Sequence, residues 1–326
     1  MDIAGPESVP PGQSTQLTIT AHLSDGSTRD VSGDATWRSS LPSVLSVAAG
    51  GVTTGVKLGE AVVSVTVPRP NLNSITRTRE LLVLPPGTYR LSGIVSDVLG
   101  PISGAKVEIA SGPATGQSTL TGGTGEYRLF GVAGETRLLV TRSGFEAAPL
   151  TVDVTGHQTQ NVEIRASGTR RDISGTYTLA INAAFHCRTL PDRVKTRTYA
   201  AVVTQNGSVA EVTLSGARFV IGPGARGNRF RGRVGETAAE FAISSYPQSV
   251  DGIYFPMPDH PEVVEDLSPG YLIYAGPLSV SINSAGLASG DLFGSIMAVS
   301  DLNRITNSDV TCASPYGPGH RFEFSR

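Results

Sequence analysis

The residues that could do chemistry in this 326-residue chain are few and scattered. A Gly-x-Gly-x-x-Gly string at 222–227 has the spacing of a phosphate-binding loop, but such a loop needs a helix after it, and residues 228–234 alternate like a strand. We interpret it as a glycine-rich hairpin loop. No serine stands in a Gly-x-Ser-x-Gly elbow, and the five histidines lack metal-ligand or catalytic spacing. The sequence therefore predicts no enzyme, no cofactor and no metal site.

Three arginines alternate along one predicted strand and therefore share one of its faces: Arg229, Arg231 and Arg233. Such a row could bind a phosphate, a sulfated sugar or an acidic polymer through its planar guanidinium groups. It could equally be a solvated outer face, or an edge strand protected from pairing. Both interpretations stay open, and the three arginines are candidate ligand contacts.

The segment from about 246 to 270 is long for a connection between strands, and long loops are often functional. Its aromatic residues Tyr254 and Phe255 could stack on a sugar, or could pack the loop over the mouth of a barrel. The same loop carries His260 and several carboxylates, but without the spacing of a metal site. Tyr254 and Phe255 are therefore candidate ligand contacts.

The two cysteines, Cys187 and Cys312, lie outside any Cys-x-x-Cys motif. Cys187 ends an alternating segment, and Cys312 begins the last segment of the chain. If the first and last strands of a closed sheet are antiparallel neighbours, the end of one lies beside the start of the other. We therefore predict a Cys187–Cys312 disulfide, which indicates an oxidising, extracytoplasmic compartment: secreted, cell-surface or periplasmic. No charged-then-apolar export signal opens the chain, so we expect either that it was removed or that the protein is cytosolic, and the predicted disulfide favours export.

Composition favours strands and turns over helices. Charged residues make up 17%, whereas Gly (38) and Pro (21) are abundant. The net charge of −2 argues against nucleic acid as the main partner, and no run of apolar residues is long enough to span a membrane. At roughly 100–200 residues per domain, the length predicts two or three domains. We expect three, at 1–86, 87–167 and 168–326.

The first segment, 1–86, has short alternating strands about ten residues apart, which is typical of a β-sandwich. It resembles the bacterial immunoglobulin-like domain of group 2. The resemblance rests on these strings: PGQS at 11–14, SDGST at 24–28, WRSS at 37–40 and GEA at 59–61. It implies a sandwich that serves as a spacer or adhesion module, with Trp37 in its core.

The second segment, 87–167, resembles the carboxypeptidase regulatory-like domain, a small prealbumin-like sandwich that is non-catalytic despite its name. The matching residues are Gly93 with Val95, Pro101 with Gly104-Ala105 and Val107, Gly125 with Tyr127, Val132 to Gly134, and Gly144-Phe145. The sequence departs from the family at Gly122, where an aspartate usually follows the threonine.

The third segment, 168–326, has seven of the nine Tyr and eight of the ten Phe, which implies a larger interior. It shows candidate strands at 173–183, 196–206, 208–215, 228–235, 238–245, 270–283, 290–299 and 319–325. Eight strands linked by hairpins predict an antiparallel up-and-down barrel. The opening Gly175-Thr176-Tyr177 resembles the Gly-x-Trp start of lipocalins. The segment is also similar to a C-terminal domain of secreted bacterial proteins, through Gly175 to Tyr177, Cys187, Arg197 to Tyr199, Gln205 to Gly207, Leu214 to Gly216, Cys312 and His320 to Phe322.

The predicted fold is thus all-β: two small β-sandwiches followed by an eight-stranded antiparallel up-and-down barrel. Two function classes remain open. The chain could be a non-enzymatic exported protein whose sandwich spacers present a terminal β domain for adhesion, carbohydrate binding or surface assembly, with a surface glycan or another cell-surface protein as partner. Alternatively, the barrel could carry a small apolar ligand, as lipocalins do. A filled barrel interior would favour the first class, and a dry cavity of roughly 300 Å³ or more the second.

Overall fold

The computed structural model describes residues 1–69, 72–221, 227–243, 249–250, 253–254, 263–300, 302, 310–314 and 319–326. It confirms the all-β prediction. Helix within these residues is limited to a 3-10 turn at Ala49–Gly51 and one helix, α1, at Asp192–Lys195. None of the described helices has the length or apolar character to cross a bilayer.

The chain divides by its contacts into two compact units. The N-terminal unit comprises residues 1–94, 103–141 and 147–162, and the C-terminal unit comprises residues 95–102, 142–146 and 163–326. The three predicted domains, 1–86, 87–167 and 168–326, stay a prediction.

The first segment folds into short strands that form three small sheets. The strands are β1 (Asp2–Ala4), β2 (Ser8–Val9), β3 (Ser14–Gln16), β4 (Thr18–His22), β5 (Thr28–Asp30), β6 (Thr36–Ser39), β7 (Leu45–Val47), β8 (Val52–Gly55), β9 (Gly59–Arg69) and β10 (Leu72–Val83). The sheet orders are β1-β4-β5, β2-β10-β9-β6 and β3-β8-β7. Alternate residues of β4 and β9 are buried around Trp37, which places this tryptophan in the core as expected.

The second segment contributes two further sheets. Its strands are β11 (Tyr89–Asp97), β12 (Gly100–Pro101), β13 (Lys106–Ser111), β14 (Ser118–Leu120), β15 (Glu126–Val132), β16 (Gly134–Thr141), β17 (Ala148–Val154), β18 (Gln158–Thr159) and β19 (Val162–Glu163). The first sheet has the order β12-β11-β15, with β18 and β19 also pairing with β11, and the second has the order β14-β13-β16-β17. Hydrophobic side chains fill alternate positions of β13 and β16, as the period of two predicts.

The third segment forms the predicted closed antiparallel barrel, a four-stranded sheet and a two-stranded hairpin. Its strands are β20 (Gly175–Asn182), β21 (Thr196–Asn206), β22 (Val209–Ser215), β23 (Arg229–Val234), β24 (Ala238–Ala242), β25 (Ser249–Val250), β26 (Ile253–Tyr254), β27 (Val263–Asp266), β28 (Tyr271–Ala275), β29 (Pro277–Asn283), β30 (Gly286–Leu292), β31 (Ser295–Val299), β32 (Val310–Ala313) and β33 (His320–Ser325). The barrel order is β20-β21-β22-β23-β24-β29-β30-β33, and pairing of β20 with β33 closes it.

A four-stranded sheet, β27-β28-β31-β32, accompanies the barrel, and we call it the capping sheet. The sequence analysis did not predict this sheet, because it expected one continuous strand at 270–283 and another at 290–299. Each divides into a capping-sheet strand and a barrel strand, at Gly276 and at Phe293–Gly294 respectively. Leu272 and Tyr274 on one face of β28 join the barrel core, whereas Ile273 on the other face belongs to a separate apolar cluster.

Side chains from every barrel strand fill the barrel interior. Aromatic rings pack edge-to-face across it, with centroids 5.4 Å apart for Phe230 and Phe241 and 5.9 Å apart for Tyr177 and Phe324. These inward-facing side chains are buried and form one continuous apolar core. The interior is a packed core rather than a ligand cavity.

Candidate functional site

The predicted arginine row lies on the outer face of β23, as the alternation indicated. Arg229 Nη1 is 3.8 Å from a carboxylate oxygen of Glu211, and Arg231 Nη2 is 3.4 Å from one of Glu163. An anionic ligand on this row would have to compete with these carboxylates. The role of Arg229, Arg231 and Arg233 as ligand contacts stays a prediction.

Arg233 has the most buried partner in the row. Its Nη1 donates to Asp97 Oδ2 at 3.3 Å, and its Nη2 donates to Glu240. The other oxygen of Asp97 accepts the backbone N–H groups of Leu99 and Gly100, at 2.9 and 3.2 Å. Burial raises the pKa of Asp97, and the Arg233 charge and the two backbone hydrogen bonds oppose that rise. Arg233 is therefore held in a structural contact.

The candidate aromatic contacts fall largely outside the described structure. Phe255 and His260 lie outside the described residues, and of Tyr254 only the backbone is described, in the hairpin β25–β26. The long loop predicted at about 246–270 is in part a strand, because β27 occupies Val263–Asp266. That strand contributes Glu265, which at 2% exposed is the most buried carboxylate among the described residues of the C-terminal unit.

The predicted disulfide is present: Cys187 and Cys312 are bonded, with their Cα atoms 5.6 Å apart. Its setting differs from the expected one. Cys187 lies in the turn after β20, but Cys312 lies on β32 of the capping sheet, opposite Ile296, and not on the last barrel strand. The bond therefore ties the capping sheet to the end of the first barrel strand, while hydrogen bonds between β20 and β33 close the barrel.

A fully buried histidine, His320, lies beside this disulfide. Its Nδ1 accepts the backbone N–H of Ala184 at 3.1 Å and is 4.0 Å from Cys187 Sγ. Burial lowers the pKa of His320 to about 4, so the ring is neutral at physiological pH. The exposed His186 lies near both sulfurs, but sulfurs joined in a disulfide offer no thiolate to a metal.

A buried polar network joins the barrel to the capping sheet. The Glu265 carboxylate accepts Arg197 Nε at 3.0 Å, a second bond from Arg197 Nη2, and the Tyr199 hydroxyl at 2.7 Å. Since Tyr199 gives its proton to Glu265, the Tyr274 hydroxyl donates to Tyr199 across 2.9 Å. Burial raises the pKa of both tyrosines, so they are neutral donors, and Glu265 is bound on both oxygens.

A polar cleft of about 410 Å³ opens beside this network. Its lining includes three arginines, Arg193, Arg197 and Arg218, and two carboxylates, Glu265 and Asp266. Sequence reasoning missed it, because its arginines lie in two separate stretches of chain and its carboxylates in a predicted loop. We call it the arginine cleft, and it is the candidate functional site.

A larger cleft of about 500 Å³ lies in the N-terminal unit. Its lining combines apolar side chains, such as Leu41 and Leu120, with Glu60, Glu126 and Arg128. Glu60 and Arg128 pair with each other at 3.2 Å, and Glu126 accepts the backbone N–H of Thr124 at 3.1 Å. This cleft therefore has fewer charged groups available to bind a ligand than the arginine cleft has.

Comparison with known proteins confirms one part of the sequence analysis. Residues 90–167 match the family described as the carboxypeptidase regulatory-like domain. The match covers the second segment as predicted. No match to a curated protein is found for the chain. The immunoglobulin-like and lipocalin-like resemblances of the other two segments stay predictions.

Similar solved structures are distant. BcpA, the major pilin subunit of Bacillus cereus, is 13% identical with a TM-score of 0.22, over 51% of this chain and 69% of the pilin. A Bacteroides uniformis protein with a provisional carbohydrate-binding assignment is 13% identical with a TM-score of 0.20, over 69% of this chain and 98% of its own. Domains 4–9 of the surface layer protein SbsC are 15% identical with a TM-score of 0.18, over 91% of this chain and 42% of that one. TM-scores this low define no common fold for the whole chain, so the proposals below rest on its own residues.

Proposed function

We propose that this chain is a non-enzymatic part of an exported protein, in which two β-sandwiches present a C-terminal β domain that binds a surface glycan. The observation that carries the proposal is the filled barrel. Because aromatic and aliphatic side chains occupy the interior, a ligand can be recognised only at the surface of the domain, where the polar groups lie.

The buried ionisable groups support a binding role rather than catalysis. Glu265 is held by Arg197 and Tyr199, and Asp97 by Arg233 and two backbone N–H groups. A general base needs a free lone pair within reach of a substrate proton, and these carboxylates already accept several donors. The Cys187–Cys312 disulfide removes both thiols as nucleophiles and supports an extracytoplasmic location.

The alternative, a lipocalin-like carrier of a small apolar ligand, needs an empty apolar cavity of several hundred Å³. The side chains of Phe230, Phe241 and Phe324 fill that space. This packing favours the surface-binding proposal over the carrier.

The test is a glycan array probed with the full oxidised chain. The array should carry neutral, uronate-containing and sulfated glycans, and the same chain reduced and heat-denatured is the control. We expect the native chain to bind a defined glycan class and the denatured chain to lose that binding. If the native chain binds no glycan above the denatured control, the proposed function is wrong.

A further inference from the structure

The arginine cleft contains one guanidinium group, that of Arg197, which a buried carboxylate holds in place. Arg197 lies with its Nε and Nη2 on the nearly inaccessible Glu265 carboxylate, which the Tyr199 hydroxyl also holds. Among the described residues, Nη1 of Arg197 has no protein acceptor. A guanidinium fixed by a buried carboxylate loses little further side-chain entropy when it binds a ligand.

Arg218 also pairs with a carboxylate, but at the rim, where its side chain is 72% exposed. Its Nη2 donates to Asp266 Oδ2 at 2.7 Å, and Asp266 Oδ1 accepts the backbone N–H and hydroxyl of Ser268 at 2.8 and 2.7 Å. The Asp266 side chain is 25% exposed, so its oxygens can also be reached by a ligand hydroxyl. The rim therefore offers an accessible guanidinium donor beside a carboxylate acceptor that Ser268 orients.

The third arginine lacks a carboxylate partner. Arg193 lies on α1 and lines the cleft, and no ion pair joins it to any part of the chain that the structure describes. The neighbouring acid, Asp192, pairs with Lys195 at 2.8 Å. Three arginines against two carboxylates leave the cleft with one positive charge that the described residues do not neutralise.

We propose that the arginine cleft binds an acidic saccharide, with the carboxylate or sulfate of the sugar on Arg193, Arg197 and Arg218 and a sugar hydroxyl on Asp266. This deepens the proposed glycan-binding function and rests on it. Guanidinium groups bind carboxylate and sulfate oxygens through parallel N–H bonds. The cleft volume, about 410 Å³, is within the range of about 300–1,000 Å³ that is usual for ligand sites.

The ligand must offer both an anion and hydroxyl groups, because the cleft presents both positive donors and a carboxylate acceptor. A bare phosphate would use only the arginines and would be repelled by Asp266. An apolar ligand would bury charged groups without partners, which is costly. A uronate or a sulfated sugar satisfies both kinds of group, and separate probes distinguish the two anions.

The experiment measures binding of the full chain to three immobilised polymers: polygalacturonate for carboxylate, heparin for sulfate, and dextran as the neutral polymer. The site variant is Arg193→Ala with Arg218→Ala, since Arg218 is exposed and neither residue belongs to the buried core. A charge-matched control removes Arg29 and Arg38 from the first sandwich. A second comparison removes Arg229 and Arg231 from the β23 row.

We expect the wild-type chain to bind one of the acidic polymers in preference to dextran, and more weakly as salt rises. The cleft variant should bind at least tenfold more weakly, because each lost contact is a charge-assisted hydrogen bond. The control on the first sandwich should bind as the wild type does.

Three results would overturn the proposal. If the β23 variant loses binding and the cleft variant keeps it, the anion lies on the row that includes Arg229 and Arg231. If dextran or another neutral glycan is bound equally by wild type and cleft variant, the acidic-saccharide site is wrong while the glycan-binding function stands. If no glycan is bound at all, both fail.

Discussion

Reduction of the Cys187–Cys312 disulfide should destabilise the C-terminal β domain and leave the first sandwich unchanged. The bond joins residues 125 positions apart. In the chain-entropy account, a cross-link of that span removes on the order of 16 cal/mol/K from the unfolded chain, or about 5 kcal/mol at 25 °C. A domain typically has about 5–15 kcal/mol in total, so the loss is a large fraction of its stability.

The aromatic residues of the chain provide separate spectroscopic probes for its N-terminal and C-terminal regions. Trp37 is the single tryptophan and lies in the core of the first segment, so its fluorescence follows the N-terminal unit. Seven of the nine tyrosines lie at 168–326, so near-ultraviolet circular dichroism follows mainly the C-terminal domain. In guanidinium chloride, with a denaturant dependence of about 2–6 kcal/mol/M, a loss of about 5 kcal/mol should lower the midpoint of the tyrosine transition by about 0.8–2.5 M on reduction. The Trp37 transition should not move.

A variant with Cys187→Ser and Cys312→Ser separates the cross-link from any effect of the reductant. It should unfold like the reduced wild type and should not respond to reductant. Equal shifts in the Trp37 and tyrosine transitions would show that the effect is not local to the C-terminal domain. An unmoved tyrosine transition would refute the assignment of the disulfide as its main cross-link.

Three further predictions concern the same domain. Glu265→Gln should lower the free energy of unfolding by about 2–3 kcal/mol in urea titrations, because Arg197 loses its charged partner in a buried setting; an unchanged value would show that the ion pair contributes nothing. Gly232→Ala should cost about 1–3 kcal/mol by calorimetry, since an added Cβ would overlap the Phe241 ring; an unchanged melting temperature would show that the barrel interior has spare room. The pKa of His320 is about 4 in the folded protein, compared with 6.5 for an ordinary histidine. As the pH falls, the unfolded chain therefore binds a proton at His320 before the folded chain does. Stability should therefore fall by about 3 kcal/mol from pH 6.5 to 4, and His320→Asn should flatten this dependence; the same slope in that variant would exclude His320 as its source.

Much of the barrel could be predicted from sequence because alternation marks strands with one buried face. The predicted strand 196–206 matches β21 at Thr196–Asn206. The capping sheet could not be predicted in the same way, since period-two alternation says nothing about which sheet a strand joins. The available signal was an isolated glycine inside a strand pattern, which indicates a bend or close backbone approach. Gly276 has a φ of 134° and an added Cβ would lie 2.7 Å from the Gly294 Cα, so both glycines are needed where the chain passes between sheets.

The disulfide could be predicted from the sequence, whereas the arginine cleft could not. Cysteine pairing follows from the proximity of chain segments, and Cys312 is near Cys187 even though it lies on β32 rather than on the last barrel strand. The arginine cleft was not predictable, because its central contact joins Arg197 to Glu265 across 68 positions. Nothing in the sequence around Glu265 indicates that a strand would bring it under Tyr199.

The proposal that the C-terminal domain binds its ligand at the surface depends on a filled barrel interior. Native mass spectrometry of the full oxidised chain, after incubation with a total bacterial lipid extract, tests this most directly. Because Phe230, Phe241 and Phe324 fill the interior, we expect the spectrum to show only the mass of the chain itself, with no one-to-one adduct of an apolar molecule. A one-to-one adduct with a lipid or another apolar molecule would contradict the filled barrel and would favour the carrier instead.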